Sequence, residues 1–118
     1  MGNNLRTMLD KLDEGMRTLA KVDSERMEAF MAFMQAAEKP GALDIKTKHL
    51  ITLAIALYAH CEGCIADHAR LALKAGASPK ELVETAFVAS FMGGGPAMAK
   101  IATVLVDSIS TFAPGFSK

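Results

Sequence analysis

The densest grouping of reactive side chains in the sequence is His60-Cys61-Glu62-Gly63-Cys64-Ile65-Ala66-Asp67-His68. Residues three and four apart on a helix share a face, so Cys61, Cys64 and His68 line one edge. That spacing allows a disulfide across one turn and sets an imidazole within reach of the second thiol. A free thiol, with a pKa of about 8.5, is mostly protonated near neutral pH, and only the thiolate is nucleophilic. A helix N-terminus and a neighbouring imidazole both favour the thiolate. A Cys/Cys/His row at a helix start is therefore suited to reversible thiol oxidation. The same residues admit two other readings. Cys61, Cys64 and His68 supply three zinc ligands, with His49 or His60 as a fourth; structural zinc sites draw a second ligand pair from a distant segment, and no second CxxC or HxxxH is present. Alternatively the cysteines pack as small apolar groups, although Glu62, Asp67 and His68 make this turn polar.

The elements that must position this row all read as helix, and nothing alternates with period two. A thioredoxin-like fold, in which CxxC follows a strand, is thereby excluded. Leu5, Met8, Leu9, Leu12, Met16 and Leu19 share one face of a first helix. Asp23 or Ser24 caps a second, whose stripe of Met27, Phe30, Met31 and Met34 is expected to be core or subunit contact. Lys39-Pro40-Gly41 ends it. Asp44 caps a third helix running toward Tyr58 or His60; its Leu50–Ala59 stretch is apolar on all sides and should be buried all round. The fourth helix begins near the cysteines and stops at Gly76. Ser78-Pro79-Lys80-Glu81 is a capping box that opens a fifth. This helix is expected to end at Gly93-Gly94-Gly95, with Pro96 opening a sixth that carries Ile101, Val104, Leu105 and Ile109 on one face. Thr111–Lys118 is expected to fray. The glycine run is read as a tight interhelical junction, since no strand precedes it and no Lys-Ser/Thr follows. The expectation is an all-α fold: one compact domain of about six helices over 1–118, its core at about 30–110.

Composition narrows the function. The chain has 118 residues, of which 51% are apolar, so disorder is excluded. Thirteen basic residues balance thirteen acidic ones, which gives nucleic-acid binding no electrostatic support. The longest apolar run, Leu50–Ala59, is half the length of about 20 residues that a membrane span needs. The start MGNNLRTMLD lacks the pattern of a secretory signal, and Arg6 stands where myristoylation wants Ser or Thr. A cytoplasmic protein is the expectation, with two cysteines in a reducing compartment, where such pairs are more often reactive than structural.

Three stretches together are specific: PGALDIKTKHLITLAIAL at 40–57, CEGCIADHARLALKAGAS at 61–78, and MGGGPAMA at 92–99. From about Phe30 to Leu105 the sequence resembles the carboxymuconolactone decarboxylase superfamily, in particular its alkylhydroperoxidase D-like branch. The resemblance implies an all-helical fold, trimers or hexamers, and peroxide- or disulfide-reducing activity. By position, Cys61 and Cys64 match the redox cysteines and His68 the histidine that follows them. The branch that decarboxylates muconolactones generally lacks this cysteine pair. Two positions depart from the pattern: His49 stands where peroxidase members carry a glutamate, and Gly63 where some carry a histidine.

These readings converge on a dithiol oxidoreductase that reduces hydroperoxides through a Cys61–Cys64 disulfide. Cys64 is expected to attack, His68 to act as its base, and His49 to pass the proton on. The apolar third helix would form a dry wall favouring organic hydroperoxides. No cofactor or metal is expected; the partners are a hydroperoxide and an external thiol or dithiol reductant. Apolar surface in excess of what one unit covers points to a homo-oligomer, and the resemblance makes it a trimer or hexamer. The alternatives are a lactone decarboxylase and a non-enzymatic redox-sensing module.

Overall fold

Polar residues at helix starts set the punctuation of the chain. The computed structural model describes residues 2–114, and those residues form helices and turns with no strand. The elements are α1 (Gly2–Val22), α2 (Ser24–Glu38), α3 (Ile45–Tyr58), α4 (Glu62–Lys74), α5 (Pro79–Lys100), a π-helical turn (Ile101–Leu105) and α6 (Val106–Phe112). Asp23, rather than Ser24, caps α2 by accepting the Arg26 N–H at 3.1 Å. Asp44 caps α3, accepting from Thr47 N–H at 2.8 Å. At α5 both halves of the capping box form: Glu81 N–H donates to Ser78 Oγ at 3.1 Å, and Ser78 N–H to Glu81 Oε1 at 2.9 Å. Lys46 reaches the same carboxylate at 3.0 Å and ties α3 to α5. The Ser78 amide, and then Lys46, hold the Glu81 carboxyl below its ordinary range.

The glycine run interrupts the helix where its composition predicts, and two helical stretches meet there across a kink. Only Gly94 leaves helical geometry, at φ +66° and ψ −150°, a conformation open to glycine; helical bonding resumes on either side. At Gly93 a Cβ would lie 2.8 Å from the Ala97 Cβ, so the missing side chain makes room for the far side of the kink, while Tyr58 Cδ1 of α3 would stand at an ordinary contact distance of 3.4 Å. From Pro96 the chain runs through the π-helical turn to Phe112, which places Ile101, Leu105 and Ile109 in the core. Of the stretch expected to fray, 111 and 112 are helical, and 115–118 lie outside the described residues.

Leu53 and Leu57 of α3, Ile65 of α4, Leu82 of α5, Leu105 and Ile109 are fully buried. Alanines on α3, α4 and α5 allow close helix approach. α3 sits against α5 and α4, its two most extensive partners.

One burial expectation fails within the single chain, that for the Leu50–Ala59 stretch. α3 is not buried all round, because Ile51, Ile55 and Tyr58 face outward. Their neighbours on α5, Phe87, Val88, Phe91 and Met92, are exposed too, Phe91 at 87%. α2 has no buried residue, and among the described side chains of α1 only Leu5 is buried, while Leu12 and Leu19 are exposed. The reason is geometric: α4 and α5 pack against α3, and among the described residues no helix covers the side that carries Ile51, Ile55 and Tyr58. The run Pro79–Phe112 is also long and apolar enough, by length and composition alone, to cross a membrane, although no single apolar stretch in the sequence is.

Candidate active site

The site is assembled where α3 hands over to α4. Cys61 is the N-cap of α4, and its Sγ accepts the Cys64 N–H at 3.3 Å. The two cysteines are disulfide-bonded, with Cα atoms 5.2 Å apart, inside the span that a disulfide tolerates. Position 61 thus does two jobs: its sulfur satisfies an otherwise unpaired amide of the first turn and forms half of the disulfide. In the reduced protein the same amide and the helix dipole would favour a thiolate at Cys61. Cys64 is partly buried against the core cluster.

His68 follows Cys64 by one turn on the same face. His49 is buried, at 5% exposure, on the first turns of α3. Its Nδ1 lies 3.3 Å from Nδ1 of His68, with ring centroids 5.5 Å apart. Two Nδ1 atoms can share a hydrogen bond only in complementary tautomers, one as N–H donor and the other as acceptor. His49 therefore contacts His68, the residue one turn after Cys64. Burial pushes the His68 imidazole below its ordinary value of 6.5; Asp67 and Glu38 pull it up, and His49 and Arg70 push it down. A base that stays neutral near pH 7 can accept a thiol proton.

His60 stands apart from this group. It is exposed, with a φ of +59°, and serves to end α3. Among the described residues no group of three or more His, Cys, Asp or Glu side chains is placed to hold a metal ion, so the zinc reading finds no ligand set there.

Two neighbours of the site were not legible from motif spacing. The Leu12 Cδ2 of α1 lies 3.9 Å from where a Cβ on Gly63 would stand, so α1 packs over the residue between the cysteines. The heptad-like stripe of α1 announces a packed face but does not say against what. Glu38, at the end of α2, acts electrostatically on His68 from another helix, and no local pattern pairs positions 38 and 68.

The described residues thus form a helical fold with a disulfide at the N-terminus of α4 and an imidazole pair on α3 and α4. The chain belongs to the carboxymuconolactone decarboxylase family, whose family model matches residues 25–107. It is 34% identical to a carboxymuconolactone decarboxylase family protein from Legionella pneumophila, with a TM-score of 0.83 over 93% of this chain and 95% of that one. A family member from Thermotoga maritima shares the fold, with a TM-score of 0.77 at 22% identity over 86% and 87% of the two chains. An uncharacterised protein of Cupriavidus necator is 32% identical over 81% of this chain and 85% of its own length.

Proposed function

We propose that the protein is a dithiol oxidoreductase of the alkylhydroperoxidase D-like branch, reducing hydroperoxides with electrons from an external thiol or dithiol. The observation that carries this reading is the Cys61–Cys64 disulfide at the N-terminus of α4, with the His68–His49 pair behind it. His68 takes the proton of the Cys64 thiol. The thiolate attacks the terminal peroxide oxygen; the S–O bond forms as the O–O bond breaks. The products are a sulfenic acid on Cys64 and an alkoxide, which recovers the proton from the imidazole pair and leaves as the alcohol. The Cys61 sulfur then attacks the sulfenic sulfur as its own thiol proton passes to the departing hydroxide, which closes the disulfide and releases water. An external dithiol returns two electrons and two protons. Leu12 beside Gly63 and the apolar core cluster behind Cys64 support an organic peroxide over hydrogen peroxide.

The exposed apolar faces of α3 and α5 support assembly into a homo-oligomer, a trimer or hexamer, in a reducing compartment. Sedimentation equilibrium at micromolar concentration tests this, and a 12.5 kDa monomer would refute it. The activity is tested by stopped-flow oxidation of the reduced protein with organic and hydrogen peroxides, followed by a thiol count and repeated turnover with a dithiol. One round of oxidation without turnover indicates a sensing module. Lactone decarboxylation that survives loss of both cysteines indicates the decarboxylase chemistry instead.

A further inference from the structure

Proton transfer from a thiol to His68 leaves one positive charge on a pair of imidazoles, one of them almost wholly shielded from water. A shielded cation is costly unless a negative charge compensates it. The charged and titratable groups that act on His68 come from three helices: Asp67 and Arg70 on α4, His49 on α3, and Glu38 at the end of α2. Asp67 is engaged by Arg70 at 2.6 Å, so much of its charge is already matched. Glu38 makes no ion pair among the described residues. Its backbone is held in place: Lys48 Nζ donates to Ala37 O at 2.9 Å and to Lys39 O, the carbonyls on either side of Glu38. Lys48 is also the residue before His49, so one side chain anchors the end of α2 to the turn that carries the buried imidazole.

We propose that Glu38 is a positioning carboxylate for the proton relay, held beside the His49–His68 pair by Lys48, where it stabilises the imidazolium formed when a cysteine thiol gives up its proton. The step breaks the S–H bond and makes an N–H bond on the pair; the electron pair stays on sulfur and the proton rests on the imidazoles. The charge that this relay requires thus comes from a different helix than either imidazole. The proposal rests on the thiol-oxidation reading above.

The test separates the two. Imidazole NMR titrations of the oxidised protein need no peroxide and read the coupling directly. The His68 titration should move further down in Glu38→Gln and return toward that of the parent in Glu38→Asp. In the reduced protein, thiol oxidation near pH 7 should slow about threefold to tenfold in Glu38→Gln, well short of loss of the base itself, and recover in Glu38→Asp. Raising the salt concentration on the parent protein should move its His68 titration in the same direction as Glu38→Gln, a check that needs no variant to fold. An unmoved titration overturns the proposal, and so does a slowed rate with an unmoved titration, which would make Glu38 merely structural. A moved titration with an unchanged rate overturns it as well. A parent protein that consumes no peroxide is the failure of the function reading, and it shows in the parent before any variant is made.

Discussion

Two helix junctions in this fold share one backbone design and differ in the residues that fill it. At the end of α3, His60 N–H donates to Leu57 O at 3.3 Å and Cys61 N–H to Ala56 O at 3.0 Å. At the end of α4, Gly76 N–H donates to Leu73 O at 3.0 Å and Ala77 N–H to Ala72 O at 2.9 Å. Both are Schellman closures with a left-handed residue just past the cap, His60 at φ +59° and Gly76 at φ +102°. Each then feeds the next helix through an N-cap, Cys61 for α4 and Ser78 for α5. The second junction uses the residues that helix chemistry prefers: glycine where φ is positive, serine at the cap, and glutamate to complete the box. The first uses histidine in the strained position and a sulfur acceptor at the cap. A departure from good local chemistry at matched positions marks where selection for something other than stability has acted. It falls on the junction that holds the disulfide.

The largest expected effect comes from making the first junction resemble the second. Cys61→Ser puts a preferred capping oxygen at the start of α4 and removes the redox pair. Turnover of any hydroperoxide with a dithiol should be lost. The variant should be as stable as the reduced parent or more stable, by up to about 1 kcal/mol, in urea denaturation under reducing conditions. Turnover that survives this substitution would sink the dithiol reading.

His68→Gln should slow thiol oxidation about 100-fold or more while the helical circular dichroism is kept. It should also change how stability depends on pH. Burial lowers the folded-state pKa of His68 below its ordinary 6.5, so the unfolded chain binds more protons there than the folded one. The stability tied to this group is complete above the ordinary value and is lost as pH falls through the folded pKa. Denaturation curves of the oxidised protein, taken on both sides of the histidine range, should show that decline in the parent and a flatter profile in His68→Gln.

The second junction should be sensitive only in stability. Gly76→Ala forces a Cβ into the left-handed region and should cost about 1–2 kcal/mol. Ser78→Ala should cost about 1 kcal/mol by removing half of the capping box. Neither should change the peroxide rate per folded molecule, since neither residue lies in the disulfide site. A rate change in Gly76→Ala without unfolding would mean that the two junctions are coupled through α4.

The same contrast explains how much could be read in advance. Caps, glycine stops and helical stripes are local signals, so Asp44, the Ser78 box, the Gly76 stop and the order of the helices were legible. The cysteine pair and His68 were legible because all three lie within two turns of one helix. His49 was named from a resemblance to a family pattern; its partner turned out to be His68, a contact between helices that no spacing rule reports. Glu38 and Leu12 were missed for the same reason. The all-round apolar stretch of α3 misled, because composition marks a segment as apolar without saying which of its faces the other helices of the chain reach.

The smallest expected effect is the most discriminating for the comparison. His60→Gly gives the first junction the residue of the second. A left-handed conformation costs a non-glycine residue about 1–2 kcal/mol, and the added backbone freedom of glycine in the unfolded chain takes back about 0.5–1 kcal/mol. The net gain should be up to about 1 kcal/mol, read as a higher urea midpoint with an unchanged slope. Glycine adopts the same positive φ, so the direction in which the chain enters Cys61 is kept. The His60 ring is exposed and outside the His49–His68 contact, so the rate of thiol oxidation and its pH profile should stay as they are. In that case Cys61 alone is the functional departure at this junction, and the strain at His60 is tolerated without being used. A slower oxidation in His60→Gly would instead place the imidazole in the chemistry, most directly by steering the incoming reductant to the exposed side of the disulfide.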